Sequence, residues 1–313
     1  MPPDLEPVTP ERWEGFSRQC MFSGLRGVAV GDEAVASLGS GFSLVSPSAY
    51  ILSARDHSSM TGTEFADGAS ASRYLVYKHE PPVPGKTYEE IKAIFWCGML
   101  ALQVLKPVPT LGLVFYGDYM PSGGFALQMI ERRPPMEAGP WALKRPFDRD
   151  LLKAVPSIIT GIQTIMEGPN AEKKNAFILL QLGLEHFHPL IAGLLWVTGL
   201  EAIFDSFGKE DFKRHLCAYL GESTLVFPDW HVPGCSLTVG EIAFHLYVLR
   251  NKLAHGGDLR KAASDKKFPV DLVGKRTLPD SPEQVPYALL LSEAACYLLC
   301  QVLQKEVARV CPC

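Results

Sequence analysis

The sequence predicts an α+β protein: an N-terminal β-rich α+β domain followed by a C-terminal all-α helical bundle. Three observations carry this. Short β-prone runs separated by Gly, Ser, Pro and Asp fill residues 21–134, helical periodicity dominates from about 147 onward, and between them "RRPPMEAGPWALKRP" (Arg132 to Pro146) gathers the prolines and charges of a linker. At 313 residues the chain is long enough for two domains, since single cores stop growing near about 250–300 residues. The expected division is a flexible lead-in over 1–20, an α+β regulatory or sensor domain over 21–146, and the bundle over 147–313.

Taken in order, "MPPDLEPVTPERWEG" is acidic and proline-rich, which suits a lead-in and is the opposite of a secretory leader. The strand candidates follow as "RGVAV", "GFSLVS", "AYILSA", "RYLVYK", "GLVFYG" and "GFALQMI". One helix interrupts them, Lys86 to Leu105, with Thr87 as N-cap and Glu90 placed to close a capping box. Beyond the linker come "DRDLLKAVPSIITGIQTIMEG", which its proline kinks or restarts, then "NAEKKNAFILLQLGLEHFH" opening on Asn170. "PLIAGLLWVTGLEAIFDSFG", "KEDFKRHLCAYLG", "TVGEIAFHLYVLRNKLAHGG" and "SPEQVPYALLLSEAACYLLCQVLQKEVARV" complete five or six helices on short connections, the pattern of a bundle.

Bulk composition excludes several classes. With 47% hydrophobic and 20% charged residues the chain is globular, and a net charge of -4 gives no overall pull toward nucleic acid, so any such site must be a local basic patch. The eight cysteines show no paired C-x-x-C spacing; reduced thiols in a cytoplasmic protein are the simplest account. The most apolar run, Pro189 to Leu200, is shorter than the roughly 20 residues of a membrane helix and runs into Glu201, so no membrane partner is expected. Cys296 and Cys300 share a helical face, where packing explains them better than redox chemistry. His186, His188, His215, Cys217 and His245 invite a metal reading, but alternate residues on a helix face apart and no further ligand is spaced to join them. No metal and no cofactor is called for. Phosphate-loop, dinucleotide, serine-hydrolase and zinc-protease signatures are absent from the sequence.

The chemistry concentrates in "LYVLRNKLAHGGDL" (Leu246 to Leu259). Ile242, Leu246, Leu249 and Leu253 form the buried stripe, and Gly256 with Gly257 should end the helix at or near His255. That histidine then leaves the packed core at the negative end of the helix dipole. Arg250 lies five residues upstream, about 7.5 Å along the axis and roughly 140° around it, so the two do not stack on one face. An arginine fork, the amide of Asn251 and an imidazole suit recognition and acid–base work on a phosphodiester. A solvent-facing arginine and a capping histidine are the bland account of the same residues. Glu201 interrupts an apolar helix and needs a partner. Arg250 is the obvious one, either as a structural ion pair or as a site arginine held in position. Lys252, Arg260 and Lys261, with Lys266, Lys267, Lys275 and Arg276 further on, form either a solvated loop or a track for an RNA backbone.

"LRNKLAHG" resembles the R-x4–6-H signature of HEPN domains, in which a polar residue commonly follows the arginine, and "WVTGLEAIFDSFGKEDFKRHLCAYLG" (Trp196 to Gly221) looks like the paired helices of the Apea-like HEPN subgroup. The resemblance covers roughly 150–310. It implies a homodimer whose motif helices meet in one composite site and cleave RNA without a metal. In that case His255 would act as acid or base, Arg250 would stabilise the phosphate, and Asn251 would orient either. It further implies a hydrolase of antiviral defence or of a toxin–antitoxin pair, with a phage-derived trigger or an antitoxin as partner. The alternative is a catalytically silent HEPN module that binds nucleotide, RNA or a protein.

Overall fold

The computed structural model describes residues 19–28, 35–46, 71–79, 86–119, 125–136, 149–206, 208–227, 237–262, 264, 270–277 and 284–311. It is α+β, and its contacts divide the chain into two units, Met1–Ala138 with Pro146–Gln163, and Gly139–Arg145 with Thr164–Cys313.

In the first unit β1 (Gln19–Leu25), β2 (Val35–Gly39), β3 (Phe42–Val45), β4 (Arg73–Lys78), β5 (Thr110–Tyr119) and β6 (Phe125–Arg132) form one sheet in the order β2-β3-β4-β1-β5-β6. Every neighbouring pair is antiparallel. β1 is central and buried on both faces along its whole length. Its Phe22 sits opposite Val76 and Phe115, stacks on the Phe115 ring at 4.8 Å, and meets Tyr74 and Phe125 edge-on. Helix α1 (Tyr88–Leu105) opens with the expected Thr87–Glu90 capping box. Gly98 is what lets it approach the sheet, because a Cβ there would lie 2.1 Å from the Phe42 ring. After α1 the buried Gln103 side chain bonds both N–H and C=O of Val108, satisfying a turn that no ladder reaches.

"RYLVYK" is strand throughout, and "GFSLVS", "GLVFYG" and "GFALQMI" lie in β3, β5 and β6. Three expectations differ. The lead-in over 1–20 lies outside the described residues as far as 18, but Gln19 and Cys20 already belong to β1. The strand expected at "RGVAV" begins earlier, as β1: Arg26 to Val28 is bend and coil following it, and the last two residues of that run, like "AYILSA", lie outside the described residues. A strand buried on both faces shows no alternation to detect, and this one is built from Gln, Cys, Ser and Gly as much as from β-formers. The expected linker begins later as well, because Thr110 N–H bonds Met136 C=O at 3.0 Å and Met136 is buried; residues 137–146 are not described.

Helix α2 (Arg149–Glu167) runs unbroken through Pro156. The sequence assigned it to the bundle, whereas most of it groups with the sheet, where Pro156 nears the β2–β3 turn: a Cβ on Gly39 would lie 3.2 Å from its Cγ. An apolar stripe such as Val155, Ile158, Ile159 and Ile162 announces a buried face without saying what covers it.

The second unit contains α3 (Ala171–Leu184), α4 (Pro189–Phe204), α5 (Lys209–Leu220), α6 (Val239–Ala254) and α7 (Tyr287–Val310). Two short ribbons join them, β7 (Leu225–Val226) with β8 (Leu237–Thr238) and β9 (Lys275–Thr277) with β10 (Gln284–Pro286). Small residues set the closest approaches. A Cβ on Gly183 would strike the Trp196 indole at 2.2 Å, and one on Gly193 would strike Ser292 at 2.3 Å. Helix α7 is the one described helix long and apolar enough to cross a membrane, and 72% of that window is buried inside the protein. Cys296 and Cys300 on it are buried, as the packing reading expected.

Candidate functional site

The site is built on α6, and local sequence positions it at both ends. Thr238 caps the N-terminus in a capping box with Glu241, satisfying two orphan N–H groups. At the other end His255 is the C-cap and Gly256 adopts φ +62°. Gly257 N–H bonds Lys252 C=O at 2.7 Å and Gly256 N–H bonds Leu253 C=O at 3.2 Å. This pair of bonds is the Schellman closure, which needs a left-handed residue at the first position beyond the cap. Ile242, Ala243, Leu246 and Leu249 are fully buried, so the core fixes the rotation of α6 about its axis.

Three of the expected residues, Glu201, Arg250 and Asn251, come together in one relay. Arg250 Nε donates to Glu201 Oε2 at 2.9 Å, and Arg250 Nη1 donates to Asn251 Oδ1, also at 2.9 Å. Glu201 belongs to α4, so the pair ties α4 to α6, and the remaining N–H groups of the guanidinium bond no described residue. The side chains are 13% exposed for Glu201 and 29% for Arg250. Burial pushes the Glu201 carboxyl above the ordinary carboxylate range, and the Arg250 charge and hydrogen bond oppose that rise. His255 lies past the end of the stripe, exposed, and its imidazole makes no hydrogen bond to any described residue.

Asn251, Lys252 and His255 line a groove of about 370 Å³ together with Lys209, Tyr247, Val248 and Gly257. Arg250 does not line it, as the angle between the two motif residues foretold. Lys209 and Tyr247 are the residues that sequence reading passed over. Tyr247, Asn251 and His255 recur at every fourth position and therefore share a face, a signal present in the sequence. Nothing in the sequence brings Lys209, at the start of α5, to the same place. Arg260 and Lys261 are exposed on the 3₁₀ turn Leu259–Ala262 just beyond the groove. Lys266 and Lys267 lie outside the described residues.

The histidines that invite a metal reading have local partners. His245 Nδ1 is 2.8 Å from the Tyr287 hydroxyl, His186 Nδ1 accepts from His188 N–H, and His215 faces Asp211 at 3.7 Å. Among the described residues no group of three or more His, Cys, Asp or Glu is placed to hold a metal ion. No family model, curated protein or solved structure matches the chain.

Proposed function

We propose that the chain is a metal-independent ribonuclease of the HEPN type, acting as a homodimer on RNA in antiviral defence or as a toxin. The 2′-hydroxyl attacks the adjacent phosphorus, His255 takes its proton or protonates the departing 5′-oxygen, and the products are a 2′,3′-cyclic phosphate and a 5′-hydroxyl. Arg250 stabilises the charge that gathers on the phosphoryl oxygens, while Asn251 and Glu201 hold its fork in place. The sheet-bearing unit would answer a phage-derived trigger or an antitoxin.

The observation that carries this reading is the pairing of a tethered arginine with an untethered histidine. Arg250 is held by Glu201 and Asn251, whereas the exposed His255 ring bonds no described residue. Purified protein incubated with total RNA should yield fragments ending in cyclic phosphate, at a rate that a chelator leaves unchanged. His255→Ala and Arg250→Ala should each abolish both the cleavage and any growth defect on expression. Equal growth of all three strains, with intact RNA in vitro, would sink the proposal. One observation favours a silent HEPN module that binds nucleotide, RNA or protein: Glu201 already occupies an arginine nitrogen that a phosphate would use. Binding of RNA without cleavage would decide for it.

A further inference from the structure

The groove at the end of α6 has a composition that acid–base chemistry alone does not require. Lys209 and Lys252 lie on its wall with Tyr247, and none of the seven lining residues is acidic, in a chain whose net charge is -4. Tyr247, Asn251 and His255 descend one side of α6 in steps of about 6 Å. The Tyr247 ring is half-buried, braced by Phe212 at 6.0 Å between centroids, and its hydroxyl bonds no described residue. Lys209 reaches the groove while its ammonium lies 5.3 Å from the Phe244 ring centre. A braced aromatic face beside two lysines, in a lining without carboxylates, is the arrangement that holds a base together with its flanking phosphates.

We infer that this groove is a subsite for single-stranded RNA: one unpaired base stacks on Tyr247, and Lys209 and Lys252 hold the phosphates on either side of it. A duplex cannot use such a subsite, because its bases are already stacked and paired. The inference takes RNA as ligand from the reading above but does not depend on cleavage, so the two can fail separately.

The test is fluorescence anisotropy of a 5′-fluorescein-labelled, single-stranded 12-nucleotide RNA over a range of salt, with full-length His255→Ala protein as the parent so that the probe stays intact. Tyr247→Leu keeps an apolar contact with Phe212 but removes the ring, and should weaken binding about tenfold or more, while Tyr247→Phe should bind like the parent. Lys209→Gln and Lys252→Gln should each lower the slope of log affinity against log salt by about 0.7, the value for one single-strand phosphate contact. The same probe annealed to its complement should bind less tightly. Far-ultraviolet circular dichroism melts confirm that each variant is folded. A parent that binds no RNA, a Tyr247→Leu protein that matches the parent, lysine variants with an unchanged slope, or equal affinity for the duplex would each overturn the inference. If the predicted pattern appears but wild-type protein cuts nothing, the subsite stands and the ribonuclease reading falls. If wild-type protein cuts RNA and these variants bind as the parent does, the ribonuclease reading stands and the subsite falls.

Discussion

Gly256 and Gly257 are neighbours with different tasks. Gly256 has open space where a Cβ would go, but its φ of +62° is strained for any L side chain. Gly257 has no such torsion, and an added Cβ would meet the flexible Cδ of Lys252 at 3.2 Å and the Lys252 carbonyl oxygen at 3.3 Å. Gly256→Ala should therefore cost about 1–2 kcal/mol, and Gly257→Ala less, measured as shifts in the urea midpoint. The reverse order would mean that the helix closure is not what the φ angle indicates. The Glu201–Arg250 pair makes a second comparison. Glu201 is the more buried partner, so Arg250→Ala, which strands a carboxylate, should destabilise more than Glu201→Ala, by about 1–3 kcal/mol against less. The double variant should cost less than the two together, and strict additivity in that cycle would show that the contact contributes nothing to stability.

At the scale of elements, the helices were legible because their signals are local. Thr87–Glu90 announced α1, Asn170 opens α3 by accepting from Lys173 N–H at 2.8 Å, and the paired glycines end α6. The partners of an element are not local information, which is why the sequence pattern places α2 with the bundle while most of it groups with the sheet, and why β1 gives no sign of itself. The same limit hid a network around Glu306. This buried carboxylate accepts from Tyr219 and Arg309 and pairs with Lys173, joining α3, α5 and α7. Burial opposes its ionisation, but the hydrogen bonds from Lys173 and Tyr219 with the charges of Lys173 and Arg309 outweigh burial and hold the carboxyl below its ordinary range. A lowered folded-state pKa stabilises the fold above the unfolded value of about 4.3 and loses that contribution as pH falls through the folded value. The stability difference between wild type and Glu306→Gln should thus be full at neutral pH and shrink below about 4.3. Urea titrations across pH 3–7 measure it, and a difference that stays constant with pH would remove the network from the account.

Over the whole molecule, the proposed ribonuclease requires a histidine and an arginine on one helix to serve one phosphate. Within a single chain Asn251 and His255 share the groove while Arg250 is directed to Glu201 on α4. Five residues of helix separate them by roughly 140°, and the buried stripe prevents α6 from turning to compensate. The proposed dimer resolves this if the arginine of one subunit meets the histidine of the other. Mixing Arg250→Ala with His255→Ala chains then gives a discriminating experiment, since the proposal expects each variant alone to be inactive. Random reassortment makes about half of the dimers mixed, and each of those carries one His255 facing one Arg250 from the other subunit. Cleavage should return to on the order of a quarter of the wild-type rate after the variants are unfolded and refolded together, and should not return when they are mixed without subunit exchange. A site complete within each chain predicts no recovery in either case, because no chain in the mixture carries both residues.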